Sequence, residues 1–444
     1  MKIKRRERDS VLQSLQAGLV PRQGLHLIQV GRKAETEALL QDISRIRDGG
    51  ASFRLVVGRF GSGKSFFLNL VRHVALQQNL VVVQADFTME RRLQATGGEA
   101  RALYSEMMRN MATRAKPDGG ALASVCTKWI SGLQQEILDS GGDSAMVEAR
   151  ISTDLRDLQD FVGGFEFAEV LRAYYRGTLN DGEAERAAAL RWLRGEYTTK
   201  TEARQDLGVR RIVDDESFYD SLKLMAAFCR RAGFDGMLVL FDELVVLSHR
   251  LPSSKSRIAN FEAVLTILND SVQGNAQSIG FVFAGTDESL EDRRRGLFSY
   301  EALRSRLAEN QLATGDLVDL SGPVIRLQAL SPEDLFVLLR NIAMVHAGGE
   351  EADRIVSDEG IAALLHKANQ TLGADFFRTP RDVIRSFVGL LNLLDQNPGK
   401  TWNDILGMDG LLTKPTVPQS VEEELAMNPG EVPDDADDLT DFKL

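Results

Sequence analysis

The sequence predicts an α/β fold, a five-stranded parallel sheet with a large helical insertion and a C-terminal α-helical lid. Three observations carry this. Five short apolar runs recur at 55–58, 80–87, 236–243, 279–286 and 323–327, and continuous runs of this kind suit strands buried on both faces of a parallel sheet. Segments with apolar residues at helical spacing separate them. The first run leads into a glycine-rich turn that opens a helix. The expected division is a basic helical segment at 1–24, a core at 25–87 and 217–330, the insertion at 88–216, the lid at 331–395, and a C-terminal segment at 396–444.

Composition narrows the function classes. The 444 residues allow two to four domains, and 43% hydrophobic with 26% charged residues is ordinary for a globular chain. No apolar run reaches the length of a membrane span. No apolar segment follows the charged first residues, so no secretory signal and no membrane partner are expected. Cys126 and Cys229 lie too far apart in sequence for a metal cluster or disulfide framework, which points to a reducing cytoplasm. The net charge of −11 argues against bulk coating of DNA but leaves room for a local basic patch.

Taken in order, the basic run at 2–8 starts a helix through Val11, Leu12 and Leu15 that ends near Gly18. It reads either as a solvated helix start or as a contact to nucleic acid or a neighbouring subunit. Ala38, Leu39, Ile43 and Ile46 mark a second helix. The strand at 55–58 then meets Gly58-Arg59-Phe60-Gly61-Ser62-Gly63-Lys64-Ser65, which fits G-x-x-x-x-G-K-[ST] at every fixed position, with Phe66 opening the helix behind it. The glycines allow backbone angles that other residues avoid. The loop N–H groups and the helix N-terminus then face phosphate oxygens. Lys64 would reach the β- and γ-phosphates, and the Ser65 hydroxyl would ligate Mg²⁺. The bland alternative is a chance glycine turn, which the flanking strand and helix argue against. The pattern therefore predicts a P-loop NTPase.

Beyond the strand at 80–87 the insertion carries helices expected at 100–115, 121–138, 165–175 and 184–193, punctuated by glycine pairs. Its scattered arginines beside Tyr174, Tyr175 and Trp192 read as a solvated face over an ordinary core, or as a nucleic-acid contact. A helix at 217–232 precedes the strand at 236–243, which ends in Asp242 and Glu243. Beside a phosphate loop the first carboxylate can hold Mg²⁺ and the second can orient and deprotonate water. A helix at 261–268 leads to the strand at 279–286. At its tip Thr286 either senses the γ-phosphate or caps the next helix. Asp292-Arg293-Arg294-Arg295-Gly296 reads as exposed and basic, and 300–307 as helical. Ser331-Pro332-Glu333-Asp334 is a helix start with cap, first-turn proline and acids. Helices at 335–346, 357–368 and 380–394 make the lid. Thr379-Pro380-Arg381 opens the last of them, and Arg381 is either a surface residue or a cation reaching back to the nucleotide. Residues 421–444, rich in Asp and Glu, read as a disordered tail. The five histidines show no ligand spacing.

This ordering of P-loop strand, acid-tipped strand, polar-tipped strand, arginine helix and helical lid resembles the AAA+ ATPases. It is most similar to the branch near the origin-recognition, STAND and transposition-helper ATPases. The resemblance, over about 25–395, implies that Val30-Gly31-Arg32 contacts adenine and that Lys64 with Ser65, and Asp242 with Glu243, are the Walker A and B pairs. It places Thr286 at sensor 1, Arg306 or else Arg304 at the arginine finger, and Arg381 at sensor 2. Thr in place of the more usual Asn departs from the sensor 1 pattern. There is little room after the lid for the winged-helix domain of origin-recognition relatives. The stretch from Arg293 to Leu307 resembles the BREX phage-defence ATP-binding protein BrxD family. That implies ATP and Mg²⁺ as cofactors, a homo-oligomer, other phage-defence proteins as partners with a helicase among them, and DNA. The expected activity is ATP hydrolysis, with Arg306 acting on a neighbouring subunit's nucleotide. A nucleotide-gated oligomeric switch with little hydrolysis is the alternative, and a small-molecule kinase a third, less favoured one.

Overall fold

The computed structural model describes residues 2–310, 319–372 and 380–406. The expected acidic tail, the Gly410-Leu411-Leu412 stretch and Thr379 lie outside the described residues.

Five strands form one parallel sheet: β1 (Ala51–Val57), β2 (Val81–Asp86), β3 (Met237–Asp242), β4 (Ile279–Gly285) and β5 (Val324–Arg326). Their order is β2-β3-β4-β1-β5, so each expected strand is present and the α/β class holds. β1 and β4 pair from Ala51↔Ile279 to Val57↔Gly285, and β2 and β3 from Val81↔Met237 to Asp86↔Asp242. This register brings the C-terminal ends of β1, β3 and β4 to one edge, and the phosphate loop, the acid pair and Thr286 follow from it.

Strand alternation sorts side chains onto two faces. Leu55 and Val57, Val81 and Val83, Val239 and Phe241, and Phe281 and Phe283 join one large core with the helices between β2 and β3. Trp129, Phe167, Trp192 and Phe228 belong to that same core, so the apolar residues of this long connection close one face of the sheet. Phe87, Phe241 and Phe283 stack beneath them, with ring centroids 4.8–6.2 Å apart. Val56, Val82, Leu240, Val282 and Ile325 point the other way, onto the helices Lys33–Arg47 and Lys64–Gln77. Burial on both faces explains why the strands read as continuous apolar runs.

Several helices differ from expectation in extent. The one expected at 100–115 is Glu99–Arg109, ending where Ala112 bridges to Val82. The one expected at 261–268 runs Ser254–Gln273 with Ser253 as its cap. Ser144–Asp154 and Lys200–Leu207 are helices the apolar spacing did not announce.

A separate core joins the first helix to the helices after β5. Val11 and Leu15 of the helix Arg5–Gln16 pack with Leu335, Leu339, Ile342, Leu364 and Phe387 of the helices Pro332–His346, Asp358–Leu372 and Pro380–Gln396. The N-terminal helix is thus part of the C-terminal helical layer. Ser331 caps the helix Pro332–His346 as expected, and Asp334 returns a hydrogen bond to complete a capping box.

Candidate nucleotide site

The phosphate loop leaves β1 at Gly58, and its helix begins at Lys64. The glycines serve two purposes. Gly61 and Gly63 have φ of 74° and 92°, the left-handed region that side chains avoid. At Gly58 the requirement is space: a Cβ there would stand 2.7 Å from the Ser62 hydroxyl and 3.1 Å from the Leu327 carbonyl. The Ser62 Oγ is buried inside the loop with no hydrogen-bond partner. A buried hydroxyl left unpaired costs free energy, and a phosphate oxygen in this cradle would satisfy it.

Lys64 curls over the loop, its Nζ donating to the carbonyls of Gly58 at 2.8 Å and Arg59 at 2.9 Å. The Phe60 ring lies beside it, 5.5 Å from Nζ to centroid. Burial pushes the Lys64 ammonium below its ordinary pKa, opposed by the carboxylates of Asp242, Glu243 and Asp287 and reinforced by Arg381.

The β3 tip supplies the opposing oxygens. The Ser65 hydroxyl donates to Asp242 Oδ2 at 2.8 Å, and the Glu243 N–H donates to Asp242 Oδ1 at 2.9 Å. This donor pair of hydroxyl and carboxylate oxygens suits a hard divalent cation. Among the described residues no group of three or more His, Cys, Asp or Glu could hold a metal ion. A cation at Ser65 and Asp242 would therefore complete its shell with phosphate and water oxygens, as Mg²⁺ commonly does. Glu243 is exposed and has φ of 61°, a strained setting for a non-glycine residue of the kind that clusters at functional sites. A short π-helix, Val246–Arg250, follows it.

Thr286 is buried at the β4 tip. Its Oγ1 accepts the Ser289 N–H at 3.1 Å and shares a hydrogen bond with the Ser289 hydroxyl at 2.8 Å. It caps the helix Asp287–Glu291 while lining the cleft. Arg32 donates to the Ser62 carbonyl at 3.3 Å and to the Gln328 carbonyl, tying the phosphate loop to the segment after β5. Gly31 lies against Asp334, whose carboxylate a Cβ would approach to 3.4 Å. Arg381 reaches the cleft from the helix Pro380–Gln396.

Arg32, Ser62, Lys64, Ser65, Asp242, Glu243, Thr286 and Arg381 surround a cleft of about 330 Å³, within the usual size of ligand pockets; Gly31, Gly58 and Arg59 are not in its lining. One end is the phosphate loop, with Phe66 on its wall. The other end is apolar, walled by Leu15, Val20, Pro21, Ile28, Leu338 and Ile384. Sequence reasoning missed this apolar wall. The stretch Leu19-Val20-Pro21 carries no motif, and its place depends on the docking of the N-terminal helix against the helices after β5.

The arginines expected near a phosphate divide. Arg381 and Arg32 line the cleft. Arg306 does not; it hydrogen-bonds Asn269 Oδ1 at 2.8 Å and the Ala302 carbonyl, and faces a different groove with Arg45 and Val272. Arg304 pairs with Glu301 at 2.6 Å. Among the described residues no helix is long and apolar enough to cross a membrane.

A family model described as BREX system ATP-binding protein BrxC/D matches residues 3–409. No curated protein matches the chain.

Proposed function

The chain belongs to the BREX system ATP-binding protein BrxC/D family, and on that premise we propose that it is a Mg²⁺-dependent, AAA+-like ATPase that works as an oligomer with DNA and other defence proteins. The observation that carries hydrolysis is the convergence, in one cleft, of Lys64, the Ser65–Asp242 pair and Glu243. Bound Mg²⁺ would neutralise charge developing on the transferred phosphoryl group.

The chain's own groups divide the remaining work. The loop N–H groups and the Ser62 hydroxyl hold phosphate oxygens. Lys64 exchanges the carbonyls of Gly58 and Arg59 for the β- and γ-phosphates. Ser65 and Asp242 hold the cation. Glu243, exposed one residue beyond Asp242, takes the proton of the attacking water. Thr286 holds the helix Asp287–Glu291 in place and presents its hydroxyl to the same edge. The apolar end takes the adenine, with Gly31 and Arg32 fixing the segment that bounds it, and Arg381 brings a second cation from the helical lid. Arg306, outside its own cleft, is available to the nucleotide of a neighbouring copy. That supply in trans would couple turnover to assembly.

Phosphate release by the purified chain, with and without double-stranded DNA, tests this beside light scattering in ATP. Glu243→Gln should abolish release and retain ATP. Arg306→Ala should lose release while ATP binding is kept. Turnover surviving Glu243→Gln would overturn the assignment. The displacement of Arg306 from its own cleft also favours a second reading, a nucleotide-gated switch. Under it ATP changes the oligomer while phosphate release stays absent with and without DNA.

A further inference from the structure

The segments that leave the β3 and β4 tips meet again on the surface. His249, in the π-helix after Glu243, has Nε2 3.1 Å from Asp292 Oδ2. Arg295 donates to the His249 carbonyl at 3.3 Å, and Arg257 donates to the Leu251 carbonyl at 3.2 Å. Residues 249–257 and 292–296 are thereby joined into one surface. Together they contain six Lys and Arg and a single Asp in a chain of net charge −11; Arg257 is buried and Arg250 and Arg295 are half-buried, so the exposed charge is that of Lys255, Arg293 and Arg294. That Asp is occupied: Asp292 Oδ1 accepts the N–H groups of Arg294 and Arg295, and Oδ2 faces His249. The nearby carboxylates of Asp287 and Glu291 are turned to Arg326.

Lys255, Arg293 and Arg294 stand exposed here, with neither a carboxylate nor any side-chain hydrogen bond of their own among the described residues. Beside them the 20-residue helix Ser254–Gln273 begins. The Ser253 hydroxyl accepts the Ser256 N–H at 3.1 Å and the Ser253 carbonyl accepts from Arg257, so the N–H groups of Ser254 and Lys255 keep no acceptor in the helix.

We infer that this surface is a docking site for the phosphate backbone of double-stranded nucleic acid. Guanidinium forks, a hydroxyl-rich turn and helix N-terminal N–H groups are the donors that phosphate oxygens take. Ile258 is exposed at its edge, but no Phe, Tyr or Trp lies in 249–258 or 292–296, so the surface lacks the aromatic anchors of a protein interface and the stacking platform of a single-strand site. An acidic protein confines cationic attraction to such a patch, which orients the nucleic acid. The inference deepens the proposed action on DNA and rests on that reading for its partner, but not on hydrolysis.

The test is fluorescence anisotropy of a labelled 20-base-pair duplex with the full chain across a KCl series. R293E/R294E should bind at least about tenfold more weakly and lower the slope of log affinity against log salt by about 2, near 0.9 for each phosphate no longer neutralised. R293Q/R294Q should fall between it and the parent. R5E/R6E, reversed on the N-terminal helix, should bind as the parent does. Fluorescent ATP-analogue binding and melting temperature should be unchanged in every variant, which separates this outcome from failure of the nucleotide site. Equal binding by parent and R293E/R294E would overturn the inference. So would a parent that binds no duplex, or duplex displaced as readily by polyglutamate as by unlabelled DNA, the mark of an acidic protein partner.

Discussion

Arg54 offers a quantitative test of how the phosphate-loop strand is held. It sits within β1, 5% exposed, and its Nε and Nη2 grip both oxygens of Asp42, itself 3% exposed, on the helix Lys33–Arg47. Its Nη1 donates to the carbonyls of Leu320, at 2.8 Å, and Gly322. Arg54→Met keeps most of the stem volume and removes the charge. Asp42 would then have only Arg45 at 3.6 Å, a side chain 61% exposed and therefore weakly compensating. Stripping one partner from a buried ion pair costs about 3–5 kcal/mol. The Leu320 and Gly322 carbonyls are only half-buried, so water recovers most of theirs. Arg54→Met should therefore destabilise by about 3–5 kcal/mol, and adding Asp42→Leu should recover most of it, because an apolar pair replaces an ionic one at little net cost. Urea unfolding followed through Trp129 and Trp192, which lie in the core on the other face of the sheet, reads both. A single variant within about 1 kcal/mol of the parent, or a double variant no better than the single, would refute the reasoning.

Three further outcomes are expected. Gly58→Ala should weaken binding of a fluorescent ATP analogue about tenfold or more, at the about 1–3 kcal/mol typical of overpacking, and Ser62→Ala in the same chain should restore part of it by removing the hydroxyl 2.7 Å from the new Cβ. Thr286→Ala should cost about 1 kcal/mol for the lost cap, measured by thermal unfolding, with Thr286→Ser restoring it. Burial lowers the pKa values of His73, His249 and His346. The unfolded chain therefore takes up protons that the folded chain refuses as pH falls through the ordinary histidine range, and stability should decline from pH 7 toward pH 5. His249→Gln should flatten that decline in a series of urea midpoints, and an unchanged slope would count against it.

All five strands were legible because burial on both faces writes a strand as an unbroken apolar run. The phosphate loop and acid pair were legible because chemistry fixes their residue types and spacing. The helix Lys200–Leu207 has one buried residue, Ala203, and so no apolar stripe. Its signal was the cap: Thr199 accepts the Glu202 N–H, and the Thr-Lys-Thr-Glu spelling was available to read. The left-handed Glu243 and the π-helix after it left no local trace, because surrounding contacts impose them. The apolar wall at Leu15, Val20 and Pro21 was hidden for a different reason. Periodicity tells which face of a helix is apolar, and it does not tell which distant helix will cover that face.

That distant pairing has a consequence for synthesis. Val11 and Leu15 find their partners on a helix about 370 residues further along the chain. At about 5–20 residues per second on the ribosome, the gap is roughly 20–75 seconds. Until Leu335, Leu339 and Ile342 of the helix Pro332–His346 emerge, the first helix has an apolar stripe and no cover. The phosphate loop and both acid residues emerge long before Leu338 and Ile384, so the nascent chain owns the chemistry of its cleft before it owns the walls. The lining of the cleft is therefore complete only when Leu338 and Ile384 have joined Leu15.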